Sequence, residues 1–152
     1  MRILKIFLFI IIGLILAPVG NGFGDQGNNE VIIDDSGSTN FSGYRATIEP
    51  SGQVDILAHG RVSNNSVYSY GKYKVAPEDV KKLIDDLEAV MPLSKLSADF
   101  CVRSVSFGTK TYVTYKDQTS PDIQCLKSKE FVKDIYRIMA TIPRGQNGVK
   151  LP

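Results

Sequence analysis

The sequence predicts an α+β domain: an antiparallel sheet of about five to six strands built from hairpins, two helices packed on one face, and one disulfide. Three observations predict it. Apolar residues alternate with period two on either side of a Pro/Gly turn between residues 44 and 58. They recur at three- and four-residue spacing in two later segments, 80–90 and 131–139. The strands are joined by short turns, whereas parallel strands would need crossovers of a dozen or more residues. With 43% hydrophobic and 22% charged residues among 152, the composition is that of an ordinary globular domain.

The elements follow in chain order. Residues 25–30 are polar and read as a flexible lead-in. Val31, Ile32 and Ile33 form a β-branched run and a first strand, followed by a Ser/Gly/Thr/Asn loop over 34–43. Tyr44, Ala46 and Ile48 share one face of the next strand, with Arg45, Thr47 and Glu49 on the other. Pro50 and Gly52 make the turn, and Val54, Ile56 and Ala58 continue the alternation, so 44–59 is a hairpin. A polar connection over 60–65 leads to another strand at 66–75, in which Tyr68, Tyr70, Lys72 and Lys74 share a side. Pro77 begins a helix with Glu78 and Asp79 in its first turn and Val80, Leu83, Ile84, Leu87 and Val90 on one stripe. Pro92 ends it, and Leu93 and Leu96 reach back toward the core. A second hairpin is expected from Cys101–Phe107 and Lys110–Lys116 around Gly108 and Thr109, then a loop at 117–122. The last helix spans about 127–141, burying Phe131, Val132, Ile135, Ile138 and Met139. The organisation is therefore a leader at 1–24, a lead-in at 25–30, a single domain at 31–142 and a disordered tail at 143–152.

The leader carries the first functional inference. Arg2 and Lys5 precede an apolar run from Ile6 to Ala17, and small residues follow up to Gly22 and Gly24. That order is the pattern of a cleavable secretory signal, and the run is shorter than the ~20 residues of a membrane-spanning helix. The chain is expected to be exported, periplasmic or secreted, with no stable membrane anchor after processing. Removing Arg2 and Lys5 from the 18 basic residues leaves 16 against 16 acidic ones. A neutral domain without a basic run is unsuited to phosphate-dominated binding, so nucleic acid is set aside as a partner.

Cys101 and Cys125 are the only cysteines, and in an oxidising compartment the simplest expectation is one bridge between them. Closing such a loop contributes roughly 3 kcal/mol in the chain-entropy picture. The run Val31 to Thr39, VIIDDSGST, offers Asp34, Asp35, Ser36 and Ser38 as a candidate metal site. Its Asp-x-Ser-x-Ser core resembles the metal-ion-dependent adhesion motif of von Willebrand A domains, where a carboxylate and two hydroxyls would hold Mg²⁺. The Asp35-to-Ser38 string also resembles the catalytic loop of retroviral-type aspartic proteases. Those proteases need two such loops sharing a proton, and the sequence has one. An A domain needs a doubly wound parallel sheet, which the hairpins here do not provide. His59, the single histidine, lies about 13 Å along its strand from Asp55, too far for a dyad. No motif places a nucleophile, and no cofactor is implied.

Tyrosine is the more suggestive feature. Tyr68, Tyr70 and Lys72, joined by Tyr112 from the second hairpin, would sit on the sheet face away from the helices as a candidate protein-binding surface. Asn40 to Ser42 and Asn64 to Ser66 match the N-glycosylation pattern.

The stretch Tyr44 to Val54 and the run from Val75 into the helix resemble a family of exported bacterial domains of unknown function. That family has a short strand, a loop often written Cys-x-Gly-x-Cys-Pro-x-Tyr, a hairpin, a helix, a hairpin and a closing helix. The resemblance runs from Val31 to Ile142 and implies the fold without implying an activity. It fails at the loop, where Ser36 to Ser42 has no cysteine, so no role of those family cysteines transfers. The sequence thus predicts an exported, non-enzymatic protein-binding module, inhibitor or immunity-like, with metal binding at Asp34-x-Ser36-x-Ser38 as the alternative.

Overall fold

The structure is a computed structural model, which describes residues 29–59, 66–104, 106, 108–127 and 129–144. The leader and the end of the tail lie outside these residues. Burial of alternate apolar residues drives six strands into one antiparallel sheet, β1 (Val31–Asp35), β2 (Gly43–Ile48), β3 (Gln53–His59), β4 (Gly71–Lys74), β5 (Thr111–Tyr115) and β6 (Gln118–Thr119). Their spatial order is β4-β3-β2-β1-β5-β6. Two helices, α1 (Pro77–Glu88) and α2 (Glu130–Ala140), cover one face. The α+β fold and the Cys101–Cys125 bridge, with Cα atoms 5.6 Å apart, are as the sequence predicts.

The core lies between the sheet and the helices. Val31, Ile33, Ala46, Ile48, Val54, Ile56 and Val113 are fully buried on the sheet side, and Val80, Leu83, Leu87, Phe131, Ile135 and Ile138 on the helix side. The helices are also clamped by charge. Asp134, buried within the apolar stripe of α2, accepts from Lys82 of α1 at 2.8 Å and from Arg137 at 3.0 Å, and Arg137 reaches Asp79 at 2.6 Å. At the other end of α1, Glu88 accepts from Tyr115 at 3.0 Å and Lys116 at 2.6 Å, tying the turn after β5 to the helix. The flanking cation holds the Glu88 carboxyl below its ordinary range.

Three elements differ from expectation. Residues 101–104 and 106 form no strand, and the hairpin of Cys101–Phe107 with Lys110–Lys116 does not exist. The reason is that both edges of β5 are taken. Ile32 to Asp35 of β1 pair with Thr111 to Thr114, and β6 pairs with Thr114 and Tyr115 from within the expected loop. Lys116 and Asp117, both at positive φ, make that tight turn. The strand expected over 66–75 pairs regularly only at Gly71–Lys74. Before that, Ser66 and Tyr68 bridge instead to Ser42 and Arg144, which pulls the chain off the sheet edge. Finally, Pro143 and Arg144 are not free tail. Ser69 donates to the carbonyls of both, at 3.0 and 3.2 Å.

Gly52 is a glycine the hairpin's turn cannot replace. Its φ is +84°, and a Cβ there would lie 2.4 Å from the Val75 carbonyl oxygen, backbone that cannot move aside. The Val75 amide bonds the Gly52 carbonyl at 2.9 Å, so the turn also anchors the approach to α1. Gly52→Ala is expected to lower stability by more than about 1 kcal/mol, read as a reduced urea midpoint at unchanged slope.

Candidate functional site

At one end of the sheet the antiparallel register sets Asp35 of β1 opposite Tyr44 of β2 on one side and Thr111 of β5 on the other. All three face the helices and are buried. A buried carboxylate must be given donors, and Asp35 has them. Its Oδ1 accepts from the Gly37 amide at 2.9 Å, and its Oδ2 from the Thr111 hydroxyl at 2.8 Å. Gln124 donates to Thr111 Oγ1 at 2.8 Å and to Thr109 Oγ1 at 3.0 Å. Asp122 caps the short turn Ile123–Cys125 by accepting from the Gln124 amide at 3.2 Å, and accepts from the Thr111 amide at 3.2 Å. Asp122 also forms a close ion pair with Arg103, whose guanidinium reaches Gln124 Oε1 at 3.0 Å and Cys125 Sγ at 2.9 Å. One polar chain therefore runs from the buried end of β1 to the disulfide and into the segment beside it.

What this chain holds in place is an apolar surface. Arg103 and Cys101 point inward, whereas Phe100 and Val102 between and beside them are 93% and 86% exposed. Tyr136 of α2 is 52% exposed, and its hydroxyl is raised by burial and by Asp122 and Asp35 against the pull of Arg103. Tyr44 and Tyr68 form an edge-to-face pair with ring centres 5.0 Å apart. Burial first, then neighbouring tyrosines and Asp35, push the Tyr44 hydroxyl far above its ordinary range. Burial likewise raises Tyr68 and Tyr136, against the opposing pull of Arg144 on the former and Arg103 on the latter.

The residues singled out from sequence are divided by this geometry. Tyr68 and Tyr70 do not share an exposed face with Lys72. Both pack partly buried against the core, and the Tyr70 hydroxyl is enclosed without a hydrogen-bond partner among the described residues. Lys72 alone is exposed, on the open sheet face, 3.9 Å from Asp55. Their separation follows from the shortening of β4, since strand alternation stops at Gly71. Asp34 and Asp35 point to opposite faces of β1, as adjacent strand residues must. Asp34 pairs with Arg45 at 2.7 Å and His59 Nε2 at 3.3 Å, a contact that spacing along one strand could not reveal. Ser36 Oγ accepts from the Lys110 amide at 3.0 Å, and Ser38 Oγ from the Asn40 amide at 3.3 Å. The four do not converge, and no cluster of three His, Cys, Asp or Glu suited to a metal occurs among the described residues. Sequence reading missed Phe100, Val102 and Tyr136. Val102 lay inside the segment Cys101–Phe107 expected to be a hairpin strand, and neither Phe100 before it nor Tyr136 on the last helix carried a signal of its own.

No family model matches the chain, and no curated protein does either. Among the described residues no helix is long and apolar enough to cross a membrane.

Two measurements test this site. Thr111→Val keeps the shape but removes the donor to Asp35, and is expected to lower stability by about 1–3 kcal/mol in urea unfolding. Because the folded Tyr44 hydroxyl titrates above its unfolded value, its contribution is complete below about pH 10 and is lost as pH rises beyond it. Tyrosinate absorbance should therefore appear together with loss of structure, and Tyr44→Phe should move that alkaline limit upward.

Proposed function

We propose that this chain is an exported, non-enzymatic protein-binding module, inhibitor or immunity-like, that meets its partner through Phe100, Val102 and Tyr136. The observation that carries the reading is the almost complete exposure of Phe100 and Val102 on a segment held by a disulfide and a half-buried Arg103–Asp122 pair. Large apolar side chains left in water add nothing to folding, yet here the backbone bearing them is anchored from both sides. Pre-ordering of that kind lowers the entropy lost on association. Aromatic residues such as Phe and Tyr are also enriched at protein interfaces.

Export is supported by the leader pattern and by the bridge, which persists in oxidising compartments. The resemblance to exported bacterial domains of unknown function supports the same placement without adding an activity. The surface proposed differs from the tyrosine face expected from sequence, because Tyr68 and Tyr70 serve the core beneath it.

The test is capture of partners from the host's envelope or secreted fraction by the wild-type chain and by Phe100→Ser/Val102→Ser. Both side chains are exposed, so the variant should unfold at the same urea concentration. A specific partner held at least tenfold more weakly by the variant is the expected result. A partner bound equally well by both forms would show that the contact lies elsewhere.

A further inference from the structure

The bridge between Cys101 and Cys125 lies at the margin of the fold. Both cysteines are half-buried, and neither belongs to the apolar cluster between sheet and helices. What lies against the sulfurs is a cation. In an extended segment residues two apart share a side, so Arg103 follows Cys101 inward. Its Nη2 donates to Cys125 Sγ at 2.9 Å and more weakly to Cys101 Sγ at 3.7 Å. The same nitrogen carries the close ion pair with Asp122, while Nη1 donates to Gln124 Oε1. The next charges on either side of the bridge, Asp99 and Lys127, are exposed and pair with each other at 3.6 Å. A disulfide sulfur is a weak acceptor, so the guanidinium gains little from the intact bridge. A thiolate is a strong acceptor, because donor and acceptor are then both charged. The contact therefore favours the opened bridge, with the negative charge on Cys125 rather than on Cys101.

We propose that this bridge is a site of thiol–disulfide exchange, at which an incoming thiolate attacks Cys101 and Cys125 leaves. The incoming sulfur forms a bond to Cys101 Sγ as the bond between Cys101 and Cys125 breaks. The bonding pair passes to Cys125 Sγ, which becomes a thiolate beside Arg103 Nη2. The incoming thiol has lost its proton to water, and no other oxidant or reductant is consumed. The product is a mixed disulfide on Cys101. A leaving thiol of lower pKa departs faster, and a neighbouring Arg lowers that pKa. Asp122 opposes the effect, because it holds part of the same charge. Arg103 and Asp122 therefore act on the exchange in opposite directions. The inference stands on the sulfur contacts and is independent of the reading of Phe100 and Val102 as a contact surface.

Reaction of the folded chain with glutathione at fixed pH, quenched with acid and read by mass spectrometry, tests the site. The expected adduct is on Cys101, with Cys125 free. Arg103→Gln should slow the exchange at least about threefold, and Asp122→Asn should speed it by a similar factor. Asn at 122 keeps an oxygen for the Thr111 and Gln124 amides that Asp122 Oδ1 now accepts. Circular dichroism before reaction establishes that both variants are folded. Both substitutions break the same ion pair, so a merely structural role would make both variants react faster. That result would overturn the proposal, as would an adduct on Cys125. A reduced Cys-x-x-Cys protein, used as a second thiol, separates the two sources of the attacking sulfur. Exchange with glutathione alone assigns a small-molecule thiol, and exchange with the protein alone assigns a protein dithiol. A bridge inert to both would sink the proposal.

Discussion

The architecture depends on the first strand being central. β1 pairs with β2 on one side and β5 on the other, so the sheet closes only when residues about eighty positions apart in the chain come together. The alternation within β1 then sorts its side chains without ambiguity. Val31, Ile33 and Asp35 go to the helices, and Ile32 and Asp34 to the open face. Placing an aspartate at the end of the buried row is the constraint from which the site follows. Its carboxylate needs donors that apolar neighbours cannot give, and the chain supplies them from β5 and from the loop after β1.

Each of those donors is itself a point of attachment. Thr111 links Asp35 to Gln124, Gln124 and Asp122 link the short turn at 123–125 to Arg103, and Arg103 lies against the disulfide. Exposed ion pairs stabilise little, but the Arg103–Asp122 pair is largely sheltered, and breaking it would strand a charge. The segment beside Cys101 is thus attached through the disulfide and Arg103 although it belongs to no sheet. That separates two roles usually combined in one element. The backbone is tied by polar contacts beneath it, and its apolar side chains, Phe100 and Val102, are left exposed.

Much of this could be read in the sequence. The hairpin from Tyr44 to His59 was legible because period-two alternation flanks a turn with Pro50 and Gly52. Both helices were legible because their apolar residues fall on one stripe. What failed was pairing. Alternation says that a segment is extended, never what it lies beside, so Cys101 to Phe107 looked like half of a hairpin. β6 is two residues long, too short to carry a pattern. Tyr68 and Tyr70 were misplaced because the period was carried back from β4 through residues that leave the sheet. Asp134 stood within an apolar stripe, and only the neighbouring helix explains it, through Lys82. The Asp34–His59 contact likewise crosses β2 and has no trace along either strand.

The central position of β1 also has a consequence for how the chain reaches its fold. Its contact order is high, because the strand made first finds its second neighbour only after Thr111 has been synthesised. Until then Val31 to Asp35 is covered along one edge by β2 and open along the other. A chain cut short before residue 111 would carry that edge permanently, with the core cluster of Val31 and Ile33 lacking Val113, Phe131, Ile135 and Ile138. Fragments of this protein should therefore be sticky in proportion to what they lack at the C-terminal end, and removal of β5 should be far more damaging than loss of β4 from the sheet's outer margin.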